Sequence, residues 1–241
     1  MALRDVSLSI NRGEFVAIIG ASGCGKTTLL RLLAGLITPT RGEVSVRGRP
    51  LWHEGKRDPR VAEAIGVVFQ DANLFPWYTV EQNIFLPMVL RGAARHECID
   101  RAQELCRLVG LHGFERSHIA ELSGGMRQRV AIARALCLKP SILLMDEPFG
   151  SLDAITREKM NVELQAVIAT TGATVVLVTH SITEAVFLAD RVVVLSPRPG
   201  EIQVVHQIDF PREQKLDMQS NPLFNLAIQA LRQALRADGE K

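Results

Sequence analysis

Residues 20 to 28 read Gly20-Ala21-Ser22-Gly23-Cys24-Gly25-Lys26-Thr27-Thr28, and their types and spacing suit the binding of a phosphate chain. Gly20, Gly23 and Gly25 admit the left-handed backbone with which a loop wraps an anion closely. Successive N–H groups and the positive end of a following helix then point at it. Lys26 brings a full charge to the β- and γ-phosphates of a nucleoside triphosphate, and the Thr27 hydroxyl is a ligand for Mg²⁺. Such a loop is tested by its context: Phe15 to Ile19 is a short apolar run of the buried-strand kind, and Leu29 to Ala34 has helix formers without a breaker. Strand, glycine loop and helix in that order argue against a plain turn with a solvated lysine.

Other positions point to the same chemistry. Ile142-Leu143-Leu144-Met145-Asp146-Glu147 is an apolar strand that ends in adjacent carboxylates. On a parallel sheet the C-terminal strand ends share one crevice, so Asp146 enters the Mg²⁺ shell there while Glu147 polarises the attacking water. Alone, the pair is an ordinary turn or helix cap; the phosphate loop gives it a catalytic meaning. His180 follows the run Thr174 to Val178 and reaches the same rim, where it can donate to the γ-phosphate. Gln70 ends the run Ile65 to Phe69, where its amide can orient water or touch Mg²⁺.

Leu122-Ser123-Gly124-Gly125-Met126-Arg127-Gln128 is a helix start in which Ser123 caps, the glycines expose N–H groups and a helix Met126 to Leu136 follows. That makes a second anion-binding terminus, or simply a capped helix with no ligand; spacing alone leaves both open.

The elements that carry these residues alternate. Asp5 to Ile10 alternates as a half-buried strand, Val44 to Val46 and Ile65 to Phe69 are further strands, and Gly55 to Pro59 is a polar loop between them. Arg95 to Val109 is an amphipathic helix, and Asp71 to Pro140 holds no convincing strand, which reads as a helical insert. The alternation resumes with strand Ile142 to Met145, helix Ala154 to Ala169, strand Thr174 to Val178, helix Ile182 to Ala189 and strand Arg191 to Leu195. Ser181 and Glu184 form a capping box at the last of these helices. A strand-like run Ile202 to Ile208 and a helix opened by Asn221 and Pro222 complete the chain. Strands alternating with helices argue a parallel sheet covered on both faces.

Composition narrows the partners. The 241 residues are 47% hydrophobic and 22% charged, with a net charge of +2, which is globular and offers no basic stripe for nucleic acid. Four cysteines lack disulfide or zinc spacing and imply a reducing compartment. No apolar run approaches a membrane span, so work on a membrane requires docking to another protein. Leu74-Phe75-Pro76-Trp77-Tyr78 is a dense apolar cluster, either a core satellite or the docking patch; its place just after Gln70 favours docking.

Taken together, L-S-G-G-M-R-Q, the loop at 20–28, Gln70, I-L-L-M-D-E-P, Ser151-Leu152-Asp153 and His180 resemble, in order, the complete motif set of the ATP-binding cassette (ABC) ATPases. The resemblance implies an α/β P-loop NTPase fold: one domain over 1–241, with a parallel-sheet core, an antiparallel β edge, a helical subdomain inserted at about 71–140 and a tail from about 197. It implies hydrolysis of ATP with Mg²⁺, with Lys26, Gln70, Glu147 and His180 catalytic and Thr27, Gln70 and Asp146 at the metal. Gly20 to Thr28, Ser123, Gly124, Gly125, Gln128 and Asp153 are implied as nucleotide contacts. It also implies a head-to-tail homodimer in the ATP-bound state, in which Ser123 and Gly125 of one subunit close over the γ-phosphate held by Lys26 of the other.

Within that family Asp71 to Trp77, Ser196-Pro197-Arg198-Pro199-Gly200 and Phe210-Pro211-Arg212 are similar to importer subunits of the nitrate, sulfonate and taurine group. That implies transmembrane permease subunits as partners, a periplasmic or extracellular solute-binding protein as an indirect one, no nucleic acid, and a peripheral place on the cytoplasmic face of the cell membrane. Members of the family carry an upstream aromatic residue stacked on adenine, and no residue here is assigned that role. A soluble cassette acting on nucleic acid or ribosomes calls for a coiled-coil insert, a tandem cassette or a basic face. A degenerate ATP-binding switch calls for a broken catalytic set. Neither pattern is seen in the sequence.

Overall fold

The computed structural model describes residues 1–210 and 221–236. In chain order the elements are β1 (Phe15–Gly20), α1 (Lys26–Leu33), β2 (Ser45–Val46), β3 (Arg49–Pro50), β4 (Trp52–His53), β5 (Lys56–Arg57), α2 (Pro59–Ala62), β6 (Ile65–Val68), α3 (Val80–Val89), α4 (Arg95–Leu108), a 3-10 turn (Ile119–Glu121), α5 (Gly124–Leu136), β7 (Ile142–Asp146), α6 (Ala154–Thr171), β8 (Thr174–Val178), α7 (Ile182–Leu188), β9 (Arg191–Leu195), β10 (Ile202–Gln207) and α8 (Pro222–Arg236). They fall into two compact units, residues 1–58 with 174 onward, and residues 59–173.

In the first unit the strands lie in the order β10-β9-β1-β8. β1 is parallel to β8, with Ile18 opposite Val178, and parallel to β9, with Gly20 opposite Leu195. Their sequences run β-branched without alternation because both faces are covered, and Val16, Ile18, Val192, Val193 and Val194 are fully buried. Phe15 N donates to Asp190 Oδ2 at 2.8 Å and Gly13 N to Thr174 Oγ1 at 2.9 Å, which fixes where β1 starts against its neighbours. β10 runs antiparallel to β9, the expected antiparallel edge. α8 opens as its Asn-Pro pair requires, with Asn221 Oδ1 accepting from Leu223 N at 2.9 Å.

In the second unit β6 pairs in parallel with β7, Val68 opposite Met145. Between Asp71 and Pro140 stand α3, α4, the 3-10 turn and α5, with one isolated antiparallel bridge, Thr79 to His118. α3 is opened by a complete capping box between Thr79 and Gln82. α5 is the hub. Its Arg129 pairs with Glu163 of α6 at 2.6 Å and donates to Val109 O and Gly110 O at the end of α4. Its Ala135 carbonyl lies so close to β6 that a Cβ on Gly66 would come within 2.7 Å.

The structure corrects several local expectations. Asp5 to Ile10 is not a strand: its alternating exposure is present, but Asp5 turns the chain at φ 48° and only Leu3 bridges, to Gly200. The alternation reported a half-buried extended chain and not a ladder partner. The polar loop expected at Gly55 to Pro59 begins inside a hairpin, β4 with β5, turned by Glu54 and Gly55 at φ 50° and 75°. Arg47 and Gly48 turn β2 into β3 in the same way, at φ 53° and 73°. Two successive positive φ values are what a two-residue hairpin needs, and a Gly at the second position was the readable signal. The capping box at α7 is half present: Ser181 Oγ accepts from Glu184 N at 3.2 Å, while the Glu184 carboxylate turns to the Thr179 hydroxyl. Pro211 and Arg212 lie outside the described residues.

The α5–β6 contact is tested at Gly66. Gly66→Ala forces a methyl against a backbone carbonyl and is expected to cost about 1–3 kcal/mol, the usual range for overpacking. Denaturant melts of the purified variant measure it, and wild-type stability would show that the helix and strand do not approach as described.

Candidate functional site

In the first unit the phosphate loop springs from the buried C-terminal end of β1. Gly23 and Gly25 take φ 77° and 109°, and Gly25 sits at the N-cap of α1 in left-handed geometry. Ala21, Ser22, Gly23 and Thr27 are exposed, Gly20 and Thr28 half-buried, and Cys24 and Lys26 buried. Cys24 folds beneath the loop, where its Sγ would lie 2.7 Å from any Cβ on Gly20. The Lys26 ammonium lies inside the loop, donating to Gly20 O at 2.8 Å and Ala21 O at 2.9 Å. Thr179 N donates to Ile18 O, so the chain leaving β8 places the exposed His180 at the same rim as the start of the loop. The Thr179 hydroxyl accepts from Ser181 N at 3.0 Å and donates to the buried Glu184, which holds the turn carrying His180.

In the second unit β6 and β7 end side by side, and Gln70, Asp146 and Glu147 gather at their C-terminal rim. Asp146 and Glu147 are half-buried, Gln70 is exposed, and Glu147 adopts φ 44°. Elsewhere in this unit the first turns of α5 and α6 lie against each other: a Cβ on Gly124 would meet Leu152 at 3.4 Å, and one on Gly125 would meet Thr156 at 3.4 Å. Ser123 Oγ caps α5 by accepting from Met126 N at 3.3 Å, and Asp153 Oδ1 caps α6 by accepting from Thr156 N at 3.0 Å. Ser123, Gly124 and Asp153 are exposed, and beside them Ile155 is 82% exposed, an apolar position that the sequence reading did not single out. Gln128 is buried, and its amide donates to Phe69 O at 3.2 Å.

The apolar cluster after Gln70 is surface. Trp77 is 67% and Phe75 37% exposed, and their rings, 5.6 Å apart, are joined by Tyr78. The cysteines are all buried and unpaired, and burial pushes the thiols of Cys106 and Cys137 up to about 12 and about 11, so neither is a thiolate nucleophile near neutrality. Among the described residues no helix is long and apolar enough to cross a membrane.

Comparison with known proteins gives one family. The ABC transporter family pattern matches residues 3–150. A taurine import ATP-binding protein, TauB of Burkholderia pseudomallei, is 47% identical over 245 aligned positions that cover 100% of this chain and 92% of that protein. A nitrate import ATP-binding protein, NrtD of Synechocystis, is 46% identical across 89% of this chain and 78% of that protein. The fold is similar to a dimeric post-hydrolysis state of the ATP-binding cassette MJ0796 bound to ADP and Pi, with a TM-score of 0.73 and 37% identity over 87% of this chain and 92% of that one.

Asp153 yields a pH test of the α6 terminus. The Thr156 backbone N–H, then its hydroxyl, hold the Asp153 carboxyl below the usual carboxylate range. The folded value lying below the unfolded one, the charged cap stabilises fully above the unfolded carboxyl's range and is lost as pH falls through the folded value. Asp153→Asn keeps a cap without a charge. The stability gap between wild type and this variant is expected to narrow on acidification in denaturant melts; a gap independent of pH would show that the carboxylate charge contributes nothing.

Proposed function

The chain belongs to the ABC transporter family and is an ATPase, and from that premise we propose that it powers import of a solute of the nitrate, sulfonate or taurine class through a separate transmembrane permease. The identity to import ATP-binding proteins along the whole chain carries this reading. The intact set Lys26, Gln70, Asp146, Glu147 and His180 supports hydrolysis over a binding-only switch. The permease is the direct partner, and a solute-binding protein outside the membrane is the indirect one. The chain works from the cytoplasmic face as a peripheral subunit.

In this reading the triphosphate lies in the loop of residues 20–28, held by successive N–H groups and by Lys26, whose ammonium exchanges loop carbonyls for phosphate oxygens. Glu147 takes the proton of the attacking water, Gln70 orients that water, and His180 donates to the γ-phosphate. The oxygen donors Thr27, Asp146 and Gln70 are the hard ligands that suit Mg²⁺, which neutralises charge on the β- and γ-phosphate oxygens when bound. The exposed N-termini of α5 and α6, with Ser123, Gly124, Asp153 and Ile155 at the surface and Gly125 buried beneath, are the surface that a second copy of the chain covers in the ATP-bound homodimer. The Phe75–Trp77–Tyr78 surface docks the permease, since three aromatic rings gathered on a surface mark an interaction site.

Glu147→Gln removes the carboxylate's basicity with little change of shape. It is expected to bind ATP and to dimerise with it, yet not to turn it over; adding Ser123→Arg is expected to abolish the dimer. Light scattering with and without ATP, beside steady-state hydrolysis, decides this: near-normal turnover removes Glu147 from the role of base, and a monomer under both conditions sinks the dimer.

Phe75→Ser with Trp77→Ser is expected to leave stability within about 0.5 kcal/mol per site, as for surface changes, and to lower solute uptake while the isolated chain still hydrolyses ATP. A double variant that unfolds would place the cluster in the core instead.

A further inference from the structure

The segment from Phe69 to Thr79 has neither helix nor strand, yet side chains from two helices hold its backbone. From α5, Gln128 Nε2 donates to Phe69 O at 3.2 Å, and the Arg134 guanidinium donates to Ala72 O at 2.7 Å and Asn73 O at 2.8 Å. From α3, the fully buried Asn83 accepts from Phe75 N at 2.8 Å and donates to Phe75 O at 3.1 Å and Thr79 O at 3.0 Å. A backbone without secondary structure must find such partners or lose free energy when covered. Here the partners are assigned in order: α5 holds the stretch around Gln70, and α3 holds the aromatic cluster that follows. Gln70 and Asp71 are the short span between two carbonyls that both hang from α5.

The chemistry of the grip is specific. The chain turns at Asn73, φ 46°, so that carbonyls of successive residues face one planar fork, and a guanidinium reaches both with separate N–H groups. The same helix presents Ser123 at its exposed N-terminus. We propose that Gln128 and Arg134 are positioning residues, through which α5 carries the Gln70 segment and the Phe75–Trp77–Tyr78 surface as one body when ATP engages the Ser123 end. An event at the shared phosphate is thereby delivered to the docking surface along a helix axis, without passing through a flexible loop. This rests on the ATP-dependent dimer argued above, and it moves Gln128 from nucleotide contact to brace.

The chain contains a reporter. Of its two tryptophans, Trp77 lies in the cluster itself, and Trp52→Phe leaves it as the only one. In a Trp52→Phe, Glu147→Gln background, Mg-ATP is expected to shift Trp77 emission in step with dimerisation followed by light scattering in the same samples. Arg134→Gln is expected to lose the shift while the ATP-dependent dimer persists; Arg134→Lys, which keeps the charge but not the fork, is expected to retain only part of it. A full shift in Arg134→Gln, or a dimer that forms in the parent with no Trp77 response, overturns the proposal. Absence of the dimer in the parent instead overturns the functional reading itself. If circular dichroism shows Arg134→Gln unfolded, Arg134→Lys decides alone, and an undiminished shift in it overturns the proposal.

Discussion

Everything at the phosphate end depends on a helix that begins without a side-chain cap. α3, α5, α6 and α7 satisfy an N-terminal N–H with Thr79, Ser123, Asp153 and Ser181 in turn. α1 opens on Gly25 at φ 109°, a residue with no side chain to cap it. The positive end of its dipole faces the loop of residues 20–28 and suits an anion there. Glycine is required for that backbone angle, which L side chains rarely adopt.

Such a loop is only as definite as the strand that launches it. β1 is buried on both faces and paired in parallel on both edges, so its C-terminal end is fixed by two registers, and its start by the anchors from Asp190 and Thr174. The rim position of His180 follows from one of those registers. The rim position of Glu147 follows from the other unit's β6–β7 pair by the same geometry. Within each unit, parallel strands bring their C-terminal ends to one side, where the following loops carry the polar groups.

How much of this was legible in the sequence varies with the physical origin of each feature. Elements fixed by burial on both faces were readable to within a residue or two, as with β8 and β9, because unbroken β-branched runs have no other stable place. Of the short hairpins at 45–57 only the strand at Val44 to Val46 was readable, since two-residue strands carry no periodicity and only the Arg47-Gly48 and Glu54-Gly55 pairs signalled the turns. Asp5 to Ile10 had the right exposure and lacked a ladder, which a pattern of alternation does not distinguish. At the site, types and spacing named the residues, but not what their neighbours make of them. Gln128 and Asp153, which the resemblance implies as nucleotide contacts, also brace Phe69 and cap α6, and neither bond had a signal in the sequence. The grip of Arg134 on Ala72 and Asn73 had no signal at all, because it joins positions about sixty residues apart through backbone carbonyls, which every sequence possesses.

Glu147, which we propose as the base, stands in strained backbone. A non-glycine residue at φ 44° is held against about 1–3 kcal/mol of backbone strain, and such positions persist only where the surroundings over-determine them. Here the surroundings do so on both sides: Met145 and Phe149 are buried, and Gly150 N closes a turn onto Glu147 O at 3.0 Å. The strand therefore cannot simply continue past Asp146, and the second carboxylate leaves the pleat in a direction that the strand's period of two would not give it. Adjacent carboxylates on an extended strand would point to opposite faces. The left-handed residue at Glu147 breaks that alternation, so the proposed pairing of Asp146 with Glu147 does not have to follow the strand's period of two.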